Sequence, residues 1–600
     1  MDGECGSKEQ SVEGAVYIMP VSPFARATQF FATVTNTYGT DFVRFLLVVY
    51  CGVKGVAFNV LVSTALPVFQ QFGVSGSTFQ LAQVVAMTPW SMKSWIGVMS
   101  DCFPLGRYHK KGYLMLSSSF GLAGLMGLIV LTRPNSSLTP SMACWLAAVL
   151  YMMTNLQVAT FDLLAEGKYA ELMRMGNGGS EVLSLVWGCF NAGALLGAVL
   201  IFFTVDNLGV QPLLWLSLIP FLTAAMMVWR NFVPEQPARS RAMLRLKIKS
   251  QPRLFSLALA MAVGSASIAV STIASAHVRL VVTLAVVIVL NVASFRALPR
   301  TLALSNCYMF LVSASYMDIS GPLGYYYTAG PNCVPGGPHF SYGYYLAVSN
   351  FVGALAGGLG SVMFQAMSSW TFRQAFCMTT VAQIAASVFD IIIVNRWNIR
   401  VGISDQGMYL FGDAAIGQLT SMLIILPQAL LTSRLCPKGV EATVYALLAG
   451  FQNFGGNVST VLGAWLTDAL GIDSAGAARG ARSADVACDF SALPLALVIC
   501  HVGLPLLVVP LTFLMVPDAR MDDERAFDVV SPVPTFRSPP GSPSPPPSPH
   551  AWPDDIANEC DEGYVELPDE LSKSSTKAME RQISDALRGS APSESEALKE

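Results

Sequence analysis

Charged side chains are scarce in this chain of 600 residues. Asp, Glu, Lys and Arg together make up 12% of it, whereas 53% is hydrophobic. Because a soluble domain carries roughly 25% charged residues, this scarcity excludes an ordinary water-soluble fold. Apolar runs of about 20 residues, the length that crosses a bilayer as a helix, follow one another along most of the chain. The net charge of −3 identifies no partner by itself, and we expect none among nucleic acids.

The motifs of soluble enzymes are also missing. The sequence contains no Gly-x-Ser-x-Gly elbow, no phosphate-binding loop with its lysine and no His-Glu-x-x-His zinc motif. We therefore expect neither enzymatic activity nor a pump that hydrolyses ATP itself. The twelve cysteines are scattered without a Cys-x-x-Cys pair, so they are predicted to be small core residues rather than metal ligands or a disulfide framework. We expect no metal and no cofactor.

The apolar runs predict about 14 membrane spans, arranged as six, an extra pair and six more. The second span is predicted near 78–100, and the first span of the second bundle near 301–327. The predicted domains are an N-terminal tail at 1–41, a six-helix bundle at 42–233, a basic linker with an extra transmembrane hairpin at 234–300, a second six-helix bundle at 301–516, and a disordered Pro/Ser-rich tail at 517–600.

The Lys and Arg residues predict which side of the membrane each loop faces, because these residues are enriched in cytoplasmic loops. They lie mainly in loops that our span assignment places on one side: Arg107, Lys110, Lys111, Lys168, Arg174, the basic residues of the linker, Arg434 and Lys438. Both termini are therefore predicted to be cytoplasmic, in a multi-pass protein that we expect in the plasma membrane. Asn135 begins a glycosylation sequon on the predicted outer side.

A short pattern of small and amide residues occurs twice. Gly188-x-x-Asn191-x-Gly193 follows Glu181, and Gly450-x-x-Asn453-x-Gly455 follows Glu441 about 260 residues later. Amides at membrane depth are costly when they face lipid, so Asn191 and Asn453 should face another helix or a wet cavity. Both are therefore candidates for substrate or coupling contacts. The repetition favours a duplicated bundle, as in transporters built from repeats.

Lys54 lies roughly 18 Å along the first predicted span, near the middle of a hydrocarbon layer about 30 Å thick. Gly52 and Gly55 flank it, and Asn59 follows one turn later. A mid-membrane ammonium group is expected to face a cavity or a carboxylate. We predict that Lys54 and Asn59 contact substrate or take part in coupling, and the alternative for Lys54 is a structural ion pair.

Two further groups of charged residues lie near predicted cytoplasmic ends. Asp162 and Glu166 share a helix face, and they are predicted to act in a gate or to handle a proton, since close carboxylates can share one. The alternative is a solvated helix end. Lys168, which follows them, is assigned to the gate as well. Arg434 and Glu441 flank the corresponding loop of the second half and are assigned to the gate as well.

In the second half, three polar residues inside apolar spans are candidates for substrate or coupling contacts: Asp318, Asp413 and Gln418. Asp390 lies near an outer end, where we expect it to reach water. Six tyrosines flank the predicted outer loop at 329–340 and favour an interfacial belt over a binding site: Tyr325, Tyr326, Tyr327, Tyr342, Tyr344 and Tyr345.

The second span ends in Gly97-x-x-x-Asp101, and Gly106-Arg107 follows. This spacing resembles the loop signature of the major facilitator superfamily, in which an acid and cations latch the cytoplasmic gate. The resemblance implies gating roles for Gly97, Asp101 and Arg107. Anchoring by positive charge alone would explain the cations but not the spacing. Lys93, in the same span, is a candidate for substrate or coupling contact.

More closely, the chain resembles the folate/biopterin transporters, a family within that superfamily represented in kinetoplastid parasites, cyanobacteria and plastids. The resemblance covers 42–233 and 301–516. It rests on Pro89-Trp-x-x-Lys93, Gly97-x-x-Ser-Asp101-x-x-Pro-x-Gly106, the acidic segment from Asp162 to Glu171, Gly412-Asp413, and Arg434-Leu-Cys-Pro-x-Gly-Val-Glu441-Ala-Thr-x-Tyr-Ala-Leu-Leu. The last motif is the most specific. The extra pair of spans and the long tails resemble the parasite-type members.

The resemblance implies the major facilitator fold, an all-α polytopic membrane protein of two six-helix bundles with a pseudo-twofold repeat. It also implies secondary active uptake of folate/biopterin-type pteridines by proton symport and alternating access. The expected partners are therefore such a pteridine, protons and the lipid bilayer. Two alternatives stay open: another organic solute, such as an amino acid or a methionine derivative, on the same fold, and a non-transporting receptor or scaffold whose Pro/Ser-rich tail recruits partners.

Overall fold

The computed structural model describes residues 23–133, 138–175, 180–235, 252–435, 441–478 and 488–523. Up to residue 235 the helices are α1 Pro23–Tyr38, α2 Thr40–Gln71, α3 Gly76–Ser91, α4 Lys93–Cys102, α5 Lys111–Leu131, α6 Pro140–Met175, α7 Ser180–Leu208 and α8 Gln211–Trp229. The later helices are α9 Pro252–Ser271, α10 Ala276–Ala297, α11 Arg300–Ser315, α12 Ser320–Thr328, α13 Gly343–Ala366, α14 Phe372–Val394, α15 Trp397–Arg400, α16 Asp405–Leu435, α17 Glu441–Ala469, α18 Ala475–Ala478 and α19 Leu493–Met515.

Eleven of the described helices are long and apolar enough to cross a membrane, namely α2, α5 to α10, α13, α14, α16 and α19. The remaining predicted spans fall on α3 with α4, on α11 with α12, and on α17. The described ranges are thus predominantly helical, with three isolated β-bridges in the loops. The helix α1 lies within the segment predicted as an N-terminal tail.

Two predicted spans are interrupted rather than continuous. The span predicted at 78–100 breaks at Met92, one turn after Pro89, which supplies no N–H to the helix. The span predicted at 301–327 breaks between α11 and α12, where the N–H of Asp318 donates to the Ser459 hydroxyl (2.8 Å) and its carbonyl accepts from the Gln80 amide (2.5 Å). Because non-helical backbone at membrane depth requires such partners, side chains from α3 and α17 make this second break possible.

One glycine of each repeated pattern allows a close contact between two helices. A side chain on Gly193 of α7 would meet the Cα atom of Gly55 in α2 at 2.8 Å. A side chain on Gly455 of α17 would lie 3.2 Å from the carbonyl oxygen of Phe310 in α11. Small residues let helix backbones approach closely in membranes. The duplicated sequence pattern therefore marks two equivalent close helix contacts.

Four membrane helices contain π-helical turns, in which the backbone hydrogen bonds span one residue more than in an α-helix. These are Val48–Ala57 in α2, Gly343–Val348 in α13, Leu410–Gly417 in α16 and Val498–Gly503 in α19. Such turns are frequent at functional sites. Two of them carry candidate residues, Lys54 and Asp413.

One prediction about the cysteines is wrong. Cys333 and Cys488 form a disulfide, with their Cα atoms 5.1 Å apart. The bridge joins the loop after α12 to the segment before α19, both on the predicted outer side. Because 155 residues separate the two cysteines in sequence, their spacing carries no motif that reveals the pairing.

Within the described ranges, buried apolar side chains form three clusters. The first draws mainly on residues before 235, and the other two mainly on residues after 252, so the core follows the chain's two halves only approximately. The domain boundaries given above stay a prediction. The start of the predicted tail packs onto the bundle, since the Met521 N–H donates to the Trp370 carbonyl at 2.9 Å. Asn135, Lys438 and the Pro/Ser-rich part of the tail lie outside the described residues.

Candidate functional site

The principal polar cluster joins α2, α4 and α6. The Lys54 Nζ atom lies 2.7 Å from Oδ1 of Asp162, and the Lys93 Nζ atom lies 2.5 Å from Oδ2 of the same carboxylate. The Asp162 side chain is 1% exposed, whereas those of Lys54 and Lys93 are 18% and 12% exposed. The carboxylate is thus sealed behind two ammonium groups that remain partly accessible. This is the carboxylate partner that a mid-membrane lysine requires.

Aromatic rings lie beside both ammonium groups. The Lys54 Nζ atom lies 5.5 Å from the Phe190 ring centroid and 5.8 Å from the Trp187 ring, both on α7. The Lys93 Nζ atom lies 4.5 Å from the Trp90 ring. At these distances the ring faces attract the cations and offer flat surfaces for stacking.

Trp90 also connects the cluster to the second half of the chain. Its indole N–H donates to the side-chain oxygen of Asn155 at 2.9 Å, and its carbonyl accepts from the Asn453 amide at 3.1 Å. Asn453 therefore faces another helix, as predicted for an amide at this depth. Sequence alone assigns no role to Trp90, although it stands in the Pro89-Trp-x-x-Lys93 motif. Asn155, Trp187 and Phe190 are not sequence candidates either, because an aromatic or amide residue in an apolar span has no sequence signal that separates a site from core.

The structure places Asp162 with Lys54 and Lys93 rather than with the loop that follows Gly106. Glu166 is half-buried one turn further along α6, and it interacts electrostatically with all three of these charged groups. Lys168, beyond it, is buried and pairs with Glu171 at 3.1 Å. Lys110 pairs with the same Glu171 at 3.3 Å. The acids of α6 thus divide between an inner cluster and an ion-pair network beside the loop.

The residues assigned to the gate by their spacing lie at the end of α4. Asp101 and Arg107 are exposed, and Gly106 takes a positive φ of 76° in the turn between them. Gly97 faces Leu163 of α6, where an added Cβ atom would lie 3.7 Å from the leucine side chain. Arg434 is half-buried at the end of α16, and the Glu441 side chain lies outside the described residues. Their gating roles stay a prediction.

A second buried cluster lies between α12, α14 and α16. The Tyr327 hydroxyl donates to Oδ1 of Asp390 at 2.5 Å. Asp390 is only 5% exposed, so the expectation that it reaches water is wrong. The half-buried Asp413 lies close enough to interact with the Asp390 carboxyl and beside Tyr409. The Tyr327 and Tyr409 ring centroids are 5.2 Å apart.

The tyrosines around this cluster are not an interfacial belt. Tyr325, Tyr326 and Tyr327 are all less than 5% exposed. The Phe340 ring lies 5.5 Å from the Tyr327 ring and 5.2 Å from the Tyr409 ring. The belt prediction fails for these three tyrosines because the break before α12 turns this short helix into the interior of the bundle.

The side chain of Asp318 also stabilises the break between α11 and α12. Its carboxylate accepts from the Ser320 N–H at 2.8 Å and from the Thr460 hydroxyl at 3.0 Å. Among the other predicted site residues, Asn59 donates to the Gly55 carbonyl of its own helix at 2.8 Å, whereas Asn191 and Gln418 are exposed. The structure brings none of these four into the Lys54 cluster.

Polar contacts join distant helices at the predicted outer end. Gln70 at the end of α2 donates to the Thr328 hydroxyl at 2.9 Å and accepts from the Tyr342 hydroxyl. Asp206 at the end of α7 accepts from the Gly343 N–H at 2.9 Å. These contacts join the helices before residue 235 to α12 and α13.

Two ammonium groups and one carboxylate leave the Lys54, Lys93 and Asp162 cluster with one excess positive charge. If Glu166 is ionised, that charge is cancelled, and if Glu166 is protonated, it remains. The cluster can therefore attract an anionic group, and the attraction depends on a proton bound nearby. The neighbouring indole and phenyl rings can stack against a flat heterocycle.

The sequence is similar to those of known proteins. The sequence model of the BT1 family matches residues 54–530. The chain is 23% identical over 472 residues to a protein named probable folate-biopterin transporter 4 of Arabidopsis thaliana, covering 73% of this chain and 91% of that one. It is 24% identical over 416 residues to the folate-biopterin transporter of Synechocystis sp., covering 67% of this chain and 70% of that one.

Solved structures show the same fold at low sequence identity. An auto-inhibited POT family peptide transporter superposes with a TM-score of 0.55 at 12% identity, over 80% of this chain and 99% of that one. The POT family transporter PepTSo gives 0.53 at 11% identity, over 79% and 97%. The nucleoside transporter NupG gives 0.50 at 9% identity, over 79% and 98%. These likenesses confirm the predicted major facilitator fold.

Proposed function

The chain belongs to the BT1 family, and on that premise we propose that it carries folate- and biopterin-type pteridines across a membrane by proton symport. The relatives named above are folate-biopterin transporters, and they are transporters rather than enzymes. The observation that carries the proposal is the partly exposed pair of ammonium groups on Asp162, with aromatic rings beside them.

The cargo fits this cluster chemically. Folate carries two glutamyl carboxylates, and Lys54 and Lys93 offer the cations that would receive one of them. The pterin ring is flat and would stack on Trp90, Trp187 or Phe190. Biopterin shares the ring but has no carboxylate. A comparison of folate with biopterin uptake therefore distinguishes the contact to the ring from the contact to the carboxylate.

Proton coupling would act through the charge of the same cluster. A proton on Glu166 leaves one excess positive charge beside Lys54 and Lys93, which favours binding of an anionic cargo. Release of the proton toward the cytoplasm restores neutrality and weakens the attraction, so substrate and proton leave together. The groups that face Glu166 are Asp162 on α6, Lys54 and Tyr50 on α2, and Lys93 on α4. Alternating access would then open the outer contacts of Gln70 while the cytoplasmic side closes.

The membrane of residence belongs to this proposal as well. We expect the plasma membrane with both termini cytoplasmic. The Lys and Arg distribution supports this orientation. The disulfide of Cys333 and Cys488 also supports it, because disulfides persist on the oxidising side of a membrane.

Direct uptake tests the proposal. Labelled folate and biopterin are offered at acidic and neutral external pH to cells that lack their own pteridine transport, and a panel of amino acids and methionine derivatives competes. We expect saturable uptake of at least one pteridine that increases as the pH falls. Absence of uptake of both at either pH would reject the pteridine assignment, and competition by an amino acid alone would favour another cargo.

A substitution separates the charge contact from the ring contact. Lys54→Gln should raise the KM for folate about tenfold to a hundredfold, since a hydrogen bond to a charged group is worth about 1.5–3 kcal/mol. Biopterin uptake should change much less. Arg44→Gln is the matched control, because Arg44 is an exposed cation on the same helix. An equal loss for both substrates would place the glutamyl contact elsewhere.

A further inference from the structure

The inserted hairpin of α9 and α10 has an open groove on its surface. The helices pack closely at Gly264, where an added Cβ atom would lie 2.8 Å from Val286. Toward Arg253 and Arg296 they border an open groove with a volume of about 840 Å³. The hairpin is held to the bundle by an ion pair of 3.2 Å between Arg279 of α10 and Asp468 of α17. The groove is thus a fixed feature of the fold rather than a gap between detached helices.

The groove has two chemically different parts. Its walls are apolar and include Leu257, Ala260, Ile288, Val289, Val292 and Ala293. Its end is lined by Arg253 at the start of α9 and Arg296 near the end of α10. Ile288 and Val289 are 64% and 61% exposed, so they face the surroundings of the bundle and not its core.

The dimensions of the groove match one leaflet of a bilayer. From Arg253 to Ala260 the helix rises about 10 Å, and from Ile288 to Arg296 it rises about 12 Å, at 1.5 Å per residue. Half of the hydrocarbon layer is about 15 Å thick. With the arginines at the polar boundary, the apolar walls therefore extend through most of one leaflet.

The arginine end is positively charged, and no acid among the described residues forms an ion pair with it. Arg253 and Arg296 are exposed, and neither forms an ion pair with another described residue. The sequence from Pro252 to Arg300 contains no Asp or Glu. The Lys and Arg distribution places this end on the predicted cytoplasmic side, where anionic lipids are concentrated.

We propose that this groove binds a phospholipid with an anionic headgroup from the cytoplasmic leaflet. Arg253 and Arg296 receive the headgroup phosphate and its neighbouring anionic group, and an acyl chain lies along Val289 and Ala260. A free anion would use the arginines but leave the apolar walls without an occupant. A zwitterionic lipid would fill the walls but gain less from the charge. Only an anionic lipid satisfies both parts of the groove.

Native mass spectrometry of the full-length protein tests this. The purified protein is mixed with equal amounts of phosphatidylserine and phosphatidylcholine of the same acyl chains, and the retained lipid is identified. Each basic residue at an anionic membrane surface strengthens binding by about fivefold, so the double variant R253Q/R296Q should lose about thirtyfold of the preference for phosphatidylserine. Arg230→Gln removes an exposed arginine from the same predicted side outside the groove and should retain the preference.

Two further arms test the apolar part. Val289→Trp fills the groove without changing its charge and should weaken retention of phosphatidylserine. Glycerophosphoserine, the headgroup without acyl chains, should not compete at the same concentration. The proposal is overturned if the wild-type protein shows no preference, if R253Q/R296Q keeps it, or if Arg230→Gln loses it equally. It is also overturned if Val289→Trp has no effect or if glycerophosphoserine competes as well as the lipid.

Discussion

Removal of the Asp162 carboxylate would leave two largely buried ammonium groups beside each other, with Glu166 as the one carboxylate near both of them among the described residues. In the native cluster each ammonium lies 2.5–2.7 Å from that carboxylate. At an effective dielectric constant of about 20, each pair contributes about 6 kcal/mol of Coulomb attraction. Desolvation of the ions offsets most of this, but a charge that loses its buried partner costs about 3–5 kcal/mol. We therefore expect Asp162→Asn to lower the free energy of unfolding by about 3–5 kcal/mol.

The companion variant Lys54→Gln should cost much less, because Asp162 keeps Lys93 as its partner. The double variant Asp162→Asn/Lys54→Gln keeps a single ammonium group in the cluster, that of Lys93. The Glu166 carboxylate lies near enough to compensate its charge. The double variant should therefore be more stable than the sum of the single changes predicts, by about 2–3 kcal/mol. Denaturant titration of the purified protein in mixed micelles would measure all four members of this cycle.

An exposed pair on the same helix provides the control. Arg44 and Asp41 lie 3.4 Å apart with side chains about 60% exposed, so their coupling should stay below about 0.5 kcal/mol. If the Asp162 and Lys54 changes were also additive within about 0.5 kcal/mol, the inferred cluster would not exist as a coupled unit. The charge argument for substrate binding would then lose its basis.

Three other changes should have distinct effects. Glu166→Gln should make folate uptake independent of external pH, measured as initial uptake across a pH series; uptake that still rises in acid would place the proton elsewhere. Cys333→Ser should lower the free energy of unfolding by about 2–4 kcal/mol, and wild-type protein unfolded in reductant should match it; an unchanged unfolding midpoint would show that the bridge does not stabilise the fold. Gly193→Leu should remove the folded protein peak in size-exclusion chromatography, because α7 closely contacts α2 at this position. Gly188→Leu should be tolerated, since a Cβ atom at that position meets nothing within 4 Å. Equal folding of both variants would contradict the proposed helix contact.

The fold class follows from sequence because the bilayer leaves few solutions. Backbone polar groups cannot stay unpaired in hydrocarbon, so long apolar runs must become helices. The sequence also indicates Lys54 as a candidate site residue, since an ammonium group inside such a run requires a partner or a cavity. Gly193 and Gly455, each two residues after an asparagine in an apolar run, indicate a close helix contact for a similar reason. These are local properties, and each is visible in a window of one helix.

Tertiary structure alone decided which of these residues meet. The partner of Lys54 is 108 positions away in sequence, and nothing near Asp162 distinguishes it from an acid at a solvated helix end. The burial of Asp390 and of the tyrosines around it depends on the break before α12, which Gln80 and Ser459 stabilise from other helices. Residue type and depth are thus encoded along the chain, whereas partnership depends on distances between helices, and a one-dimensional pattern does not contain those distances.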